Sequence, residues 1–136
     1  MRLESRARAR ALQALYAWDL RADTDLERIA EQVWDDLAVG PEERRVAGSI
    51  IRTVAASGPA IDAELADVTT NWRLDRLGAI ERCVLRLGAA ELVRGETPPR
   101  VAIQESVRLA ERYAGERSAR FVNGVLDGLA RRLGRL

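Results

Sequence analysis

Hydrophobic residues along the chain recur every three or four positions, the spacing that places side chains on one face of an α-helix. The stretch 23–38 shows this most clearly, with Leu26, Ile29, Val33 and Leu37 on one face and acidic side chains on the other. No stretch alternates between apolar and polar residues with a period of two, so β-strands are not expected. The same periodicity, interrupted at Gly and Pro, predicts helices over residues 2–20, 23–38, 42–57, 60–68, 74–94, 100–113 and 118–133.

About seven amphipathic helices with short connections predict an all-α fold. Gly58-Pro59 is expected to separate the third helix from the fourth, because proline lacks the amide hydrogen that continues a helix. The chain has 136 residues, the length of one domain covering 1–136. The same break suggests a division into sub-bundles of about 1–58 and 59–136.

Polar residues mark where two of these helices are expected to start and where one turn is expected. Asp23 or Asp25 is expected to cap the second helix, and Ser118 the last one. Residues 69–72 form a polar corner that contains Trp72. The indole is expected either to anchor a turn against the core or to stack on a ligand.

The last predicted helix combines two unusual residues. Phe121 is the only phenylalanine in the protein, and arginines precede it in the sequence. Gly124 falls inside the helix, where glycine costs about 1 kcal/mol relative to alanine. A glycine at such a position predicts close approach by another backbone, either within the protein or from a partner.

Composition excludes several classes of active site. The chain has no His and a single Cys, Cys83, which excludes an internal disulfide, a Cys/His metal site and a His-based catalytic triad. No glycine-rich phosphate loop is present, so no cofactor is expected and a binding protein is favoured over an enzyme. With neither a signal peptide nor a long apolar run, we expect a cytoplasmic location and no membrane association.

Positive charge is concentrated at the start of the chain. All 22 basic residues are arginines. Residues 1–12 contain one acidic residue, Glu4, and four arginines, which are Arg2, Arg6, Arg8 and Arg10. Positive charge at a helix N-terminus opposes the helix dipole, so local stability does not explain the cluster. The cluster indicates a contact with a polyanion such as phosphate. The alternative is a solvated terminus that reflects a general bias towards arginine.

Several stretches together resemble the family of the bacterial transcription antitermination factor NusB. The most specific is Phe121-Val122-Asn123-Gly124-Val125-Leu126-Asp127. The resemblance covers nearly the whole chain and is weakest over residues 21–60. The stretches that carry it are residues 6–16, 71–72, 76–77, 80–86, 91–92, 98, 101–105, 109–110 and 121–127.

The resemblance implies an all-helical fold of two small packed bundles and a role in binding single-stranded boxA RNA of ribosomal RNA transcripts. It implies that the partner is NusE, a small-subunit ribosomal protein that also acts in transcription elongation. The pair would bind RNA more tightly than the NusB-like chain alone, and would act on the RNA polymerase elongation complex indirectly. A homodimer is left open.

The resemblance also suggests which residues contact RNA. Phe121 is expected to stack on an unpaired base, and a carboxylate at Glu81 to accept from a base amino group or orient an arginine. The C-terminal arginines 131, 132 and 135 stand where the family has a lysine-rich tail, a departure that leaves their role open. The expected RNA-binding residues are Arg2, Arg6, Arg8, Arg10, Tyr16, Glu81, Arg82, Arg117, Arg120 and Phe121.

Two other functions are compatible with this helical sequence and its resemblance to the NusB family. NusB-like domains also form the N-terminal module of ribosomal RNA cytosine methyltransferases, and this chain ends at Leu136 without a cofactor-binding half. On that basis the enzyme itself is not expected unless the sequence is a fragment. The third function is a helical adaptor or homodimer that binds no RNA.

Overall fold

All regular structure is helical in the computed structural model, which describes residues 2–21, 25–69 and 73–136. Within these ranges the chain forms six α-helices and one short 3-10 helix, so the predicted all-α fold is confirmed. None of the described helices is long and apolar enough to cross a membrane. The helices are α1 (Leu3–Asp19), α2 (Leu26–Asp36), α3 (Pro41–Val68), the 3-10 helix (Leu74–Arg76), α4 (Ala79–Arg94), α5 (Pro99–Ala114) and α6 (Glu116–Arg132).

The expected break at Gly58-Pro59 is wrong, because α3 continues through Pro59. Proline in a helix interior costs about 3 kcal/mol, through the lost hydrogen bond and a clash with the preceding turn. Burial of an aliphatic side chain contributes about 1.5–3 kcal/mol. Apolar residues on both sides of the proline are buried, so their combined burial outweighs its cost. They are Ile50, Ile51, Val54, Ile61 and Leu65.

The chain divides into two compact units, Met1–Ala56 and Ser57–Leu136. In the first unit, Trp34 of α2 is buried and its indole N–H donates to the backbone carbonyl of Arg10 on α1 over 3.0 Å. Asp25 caps α2 by accepting from the amide of Glu27 at 3.0 Å, as one of the two expected caps. The other expected cap, Asp23, lies outside the described residues, as does Trp72.

The second unit is built around α4, which contacts both α5 and α6. Gly88 marks the tightest point, because a Cβ there would lie 2.6 Å from Leu126 Cδ1 and 2.7 Å from Ser106 Oγ. A close approach within the protein at Gly124 is not observed, since nothing lies within 4 Å of a Cβ built there. Leu126 is buried while Gly124 is exposed, so the two residues lie on different faces of α6.

A single residue joins α5 to α6. Gly115 has φ +99° and ψ 173°, and it ends α5 and precedes the first residue of α6. The expectation that Ser118 caps this helix is wrong, because α6 begins at Glu116 and has no side-chain cap. Ser118 instead lies in the first turn of the helix.

The C-terminal arginines make contacts within the second unit. Arg132 donates to Glu64 at 2.8 Å and to Asp67 at 2.9 Å, both on the last turns of α3. Arg135 donates to the backbone carbonyl of Leu92 at 2.7 Å, near the end of α4 where helix carbonyls lack partners. Both side chains therefore have a structural role in this unit.

Candidate nucleic-acid interface

Two of the expected RNA-binding arginines share a carboxylate. Arg6 and Arg10 lie one turn apart on α1, and Glu43 lies in the first turn of α3. The Nε–H of Arg6 donates to Glu43 Oε1 over 2.8 Å, and the Nε–H of Arg10 donates to Oε2 over 3.2 Å. The hydrogen bond from Arg6, followed by that from Arg10, lowers the pKa of the Glu43 carboxyl. Arg6, Arg10 and Glu43 together therefore carry one net positive charge, where the two arginines without Glu43 would carry two.

The ion pairs hold these arginines in place without removing them from solvent. The side chains of Arg6 and Arg10 remain 46% and 32% exposed, while that of Glu43 is 18% exposed. Arg10 also donates to Gln13 Oε1 at 3.2 Å on its own helix. Sequence reasoning missed Glu43, which lies in the part of the chain where the resemblance is weakest, and its pairing depends on packing that no local pattern reveals.

The remaining candidates in the first unit have different surroundings. Arg2 is exposed at the N-cap of α1, and Tyr16 is 39% exposed. Arg8 differs from the expectation, because only 6% of its surface is exposed. It follows Arg6 by two residues, about 200° around a helix, so it points away from the Arg6–Arg10 face. The structure therefore does not support Arg8 as an exposed extension of the basic surface.

In the second unit, residues distant in sequence line one small pocket. It has a volume of about 330 Å³, and three of the expected RNA-binding residues, Glu81, Arg117 and Phe121, contribute to it. Leu77 and Ser118 complete the described lining. We call this the Phe121 pocket. The structure therefore brings together candidates separated by about 40 positions in the sequence.

The Phe121 pocket lies at the N-terminal ends of two helices, α4 and α6. Neither α4 nor α6 has a side-chain cap at its N-terminus, where glycines 78 and 115 occupy the cap positions. The first amides of a helix have no intrahelical partner, and they carry a partial positive charge. Arg117 adds a full positive charge, and Glu81 supplies an acceptor. An aromatic ring beside donors and an acceptor suits a base with its phosphate.

Two further candidates do not line the Phe121 pocket. Arg120 is exposed and donates to Glu116 one turn earlier on α6, at 3.4 Å. Arg82 follows Glu81 on α4 and donates instead to the backbone carbonyls of Leu77 at 2.8 Å and Leu74 at 3.4 Å. Successive helical residues point about 100° apart, which explains why Arg82 is directed towards the 3-10 helix.

Sequence comparison relates nearly the whole chain to one family. The model of the NusB family matches residues 5–131. The transcription antitermination protein NusB of Anaeromyxobacter sp. (strain Fw109-5) is 44% identical over 129 residues, covering 93% of this chain and 88% of the relative. That of Sorangium cellulosum (strain So ce56) is 41% identical over 137 residues, covering 100% and 97%.

Solved structures share the fold at identities of 30% and 33%. A crystal structure of the antitermination factors NusB and NusE in complex with double-stranded RNA contains a chain with a TM-score of 0.87 and 30% identity, covering 97% of this chain and 98% of that one. T. maritima NusB has a TM-score of 0.84 and 33% identity, covering 94% and 90%. From the family match and these full-length similarities, we conclude that the chain belongs to the NusB family.

Proposed function

We propose that this protein is an RNA-binding transcription antitermination factor that binds boxA RNA of ribosomal RNA transcripts together with NusE. It thereby supports processive elongation in the cytoplasm, acting on RNA polymerase indirectly. The structural observation that carries this proposal is the Phe121 pocket, which joins an aromatic ring, a carboxylate and an arginine. The function requires binding and no catalytic group.

The comparisons favour this function over the alternatives. The relatives named above are transcription antitermination proteins, matched over 88% and 97% of their own length. This favours an antitermination factor over the recognition module of a methyltransferase. A structural neighbour is seen with NusE and RNA, which favours an RNA-binding function over an adaptor that binds none. We place the NusE contact mainly on the helices of the C-terminal half.

Each side chain of the Phe121 pocket has a distinct role in the proposal. Phe121 stacks on an unpaired base, a contact worth roughly 1–3 kcal/mol. Glu81 accepts from the amino group of a base, which makes the contact sensitive to sequence. Arg117 binds the adjoining phosphate, and its planar guanidinium can do so through two hydrogen bonds.

The basic face of α1 contributes through charge. Arg6 and Arg10 bind phosphates, and Arg2 extends the row at the helix start. Tyr16 offers an exposed aromatic ring on the same helix, and Arg120 adds charge at the start of α6. Contacts to phosphate position the RNA without reading its bases, so this face supplies affinity rather than sequence preference.

A gel shift with boxA-containing single-stranded RNA tests the proposed function. The protein should bind boxA more tightly than a scrambled RNA of the same length and composition. Adding NusE should tighten binding to boxA further. Equal affinity for boxA and scrambled RNA, or no gain on adding NusE, would overturn the proposal.

The salt dependence of binding tests the role of α1. The variant R6A/R10A should lower the slope of log affinity against log salt by about two units, because each lost phosphate contact removes about one. The matched control is R28A/R45A, which removes two exposed arginines from the same unit. An unchanged slope in R6A/R10A, or an equal fall in both variants, would exclude α1 as a specific phosphate surface.

A further inference from the structure

A second, larger cavity in the second unit has only Arg82 in common with the expected RNA-binding residues. Its volume is about 970 Å³, and its described lining comes from the last turns of α3, the 3-10 helix and the first turns of α4. We call it the basic cavity, because arginines outnumber acidic residues in its lining. Its charged residues are Arg73, Arg76, Arg82, Arg86, Asp62 and Asp75.

Two of the arginines are held in fixed positions by other groups of the protein. Arg86 makes a bidentate pair with Asp62, with Nε to Oδ1 at 2.9 Å and Nη2 to Oδ2 at 3.0 Å. Arg82 is held by the carbonyl of Leu77 at 2.8 Å. A guanidinium already held in place loses less conformational entropy when a ligand binds beside it. Both guanidiniums are therefore preorganised, and because Asp62 neutralises Arg86, Arg82 supplies the net positive charge of this wall of the cavity.

The other two arginines lie at the mouth of the cavity. Arg73 and Arg76 are both exposed, and Arg73 pairs with Asp75 at 3.3 Å in a contact exposed on both sides. Exposed ion pairs contribute little free energy, so Arg73 can exchange its contact with Asp75 for one with a ligand. Four guanidiniums against two carboxylates leave the lining with a positive excess. An anion with several charges fits this wall best.

A hydrogen bond links the lining of the basic cavity to that of the Phe121 pocket. The carbonyl of Leu77 accepts from Arg82, which lines the basic cavity, while Leu77 itself lines the Phe121 pocket. Glu81 and Arg82, successive residues of α4, face one pocket each. A nucleic-acid strand with a base in the Phe121 pocket can therefore continue into the basic cavity.

We propose that the basic cavity binds the phosphate backbone of the RNA segment that continues beyond the Phe121 pocket. This inference rests on the proposed function. The guanidinium groups of the lining suit phosphate oxygens, and contacts to phosphate do not depend on base sequence. It lengthens the RNA footprint and adds salt-dependent affinity.

Fluorescence anisotropy with two RNAs tests this inference. One RNA carries the boxA core alone. The other extends the core on both sides by roughly six nucleotides of unrelated sequence. The extended RNA should bind the unaltered protein several-fold more tightly at low salt. The variant R73A/R76A should lose this gain and lower the salt slope by about one to two units, with affinity for the core unchanged within about twofold.

The matched control removes the same charge from outside the cavity. In R100A/R108A, two exposed arginines of α5 are replaced, one of which, Arg108, is in an ion pair with Glu105 as Arg73 is with Asp75. This variant should keep the gain from the longer RNA. R73Q/R76Q repeats the test with longer polar side chains, should the alanine variant lose its helical signal in circular dichroism.

The outcomes separate this inference from the proposed function. If the unaltered protein fails to bind the core RNA selectively, the proposed function is wrong. If it binds the core but gains nothing from extension, or if both double variants lose the gain equally, the basic cavity does not bind RNA. Inorganic phosphate at constant ionic strength should leave the gain intact. If inorganic phosphate abolished the gain in affinity, the cavity would be a site for free phosphate and the inference would be overturned.

Discussion

The arginine row on α1 and the Phe121 pocket in the second unit represent two ways of presenting charge. On α1, Arg6 and Arg10 are held by Glu43, so part of their charge is neutralised before any ligand arrives. In the Phe121 pocket, the helix N-termini have no side-chain caps, and Arg117 is exposed. The number of arginines in a sequence segment therefore overestimates the charge that a ligand meets. Helix N-termini without side-chain caps add a partial positive charge that amino-acid composition does not show.

The two regions are expected to make different contributions to RNA binding. The α1 row offers charge alone, so it should set the salt dependence and the general affinity for RNA. The Phe121 pocket combines a ring with hydrogen-bonding groups, so it should set the preference for particular bases. Variants that alter one property without the other test this division.

The largest effect is expected from Phe121→Ala. Loss of stacking should weaken binding to boxA RNA by roughly 1–3 kcal/mol, or about 5- to 150-fold, and leave the salt slope unchanged. The matched control is Tyr113→Ala, which removes an exposed aromatic ring from α5. Titration by fluorescence anisotropy at several salt concentrations measures both quantities. A fall in affinity with a changed slope would contradict the division.

A pair of glycine variants tests whether α6 has one packed face and one open face. Gly88→Ala should lower the free energy of unfolding by about 1–3 kcal/mol, because its Cβ would overlap Leu126 and Ser106. Gly124→Ala should raise it by up to about 1 kcal/mol, since alanine favours helix and meets no neighbour. Urea unfolding measures both. A destabilised Gly124→Ala variant would show that this face of α6 is not open.

A smaller effect, opposite in sign, is expected at Glu43. Glu43→Gln removes the negative charge between Arg6 and Arg10, so affinity for scrambled RNA should rise by about two- to fivefold. The ratio of boxA to scrambled affinity should stay the same, because a phosphate contact strengthens the binding of every RNA by the same factor. Glu42→Gln removes a charge from the same turn of α3 and serves as the control. Weaker binding of both RNAs by Glu43→Gln would instead indicate that the carboxylate is needed to orient the arginines.

The smallest expected effect is on stability at low pH. Because Arg6 and Arg10 lower the pKa of Glu43 in the folded protein, its carboxylate stabilises the fold above the ordinary pKa of 4.5. That contribution is lost as the pH falls through the lower folded value. Thermal unfolding of the unaltered protein and Glu43→Gln should therefore differ near neutral pH and converge in acid. A constant difference across the range would contradict the pairing.

The helices were predictable because burial imposes a period of three to four residues on the sequence. The continuation of α3 through Pro59 was not predictable, because the local cost of the proline is outweighed by apolar residues on both sides, and only the fold shows that these are buried. For Glu81, Arg117 and Phe121, the resemblance supplied the candidates, and the structure places them in one pocket. Burial of Arg8 and the contacts of Glu43 arise from packing between segments, which periodicity does not encode.

The single-residue joint at Gly115 makes the Phe121 pocket sensitive to chain length. Its backbone lies in a region that glycine alone adopts readily, and it connects α5 directly to the first turn of α6, which carries Arg117 and is followed by Phe121. Inserting one residue into that first turn would rotate the following side chains by about 100° and advance them by about 1.5 Å. Relatives that align without gaps across this joint can share the pocket even where its side chains differ, whereas an insertion would move the ring away from Glu81.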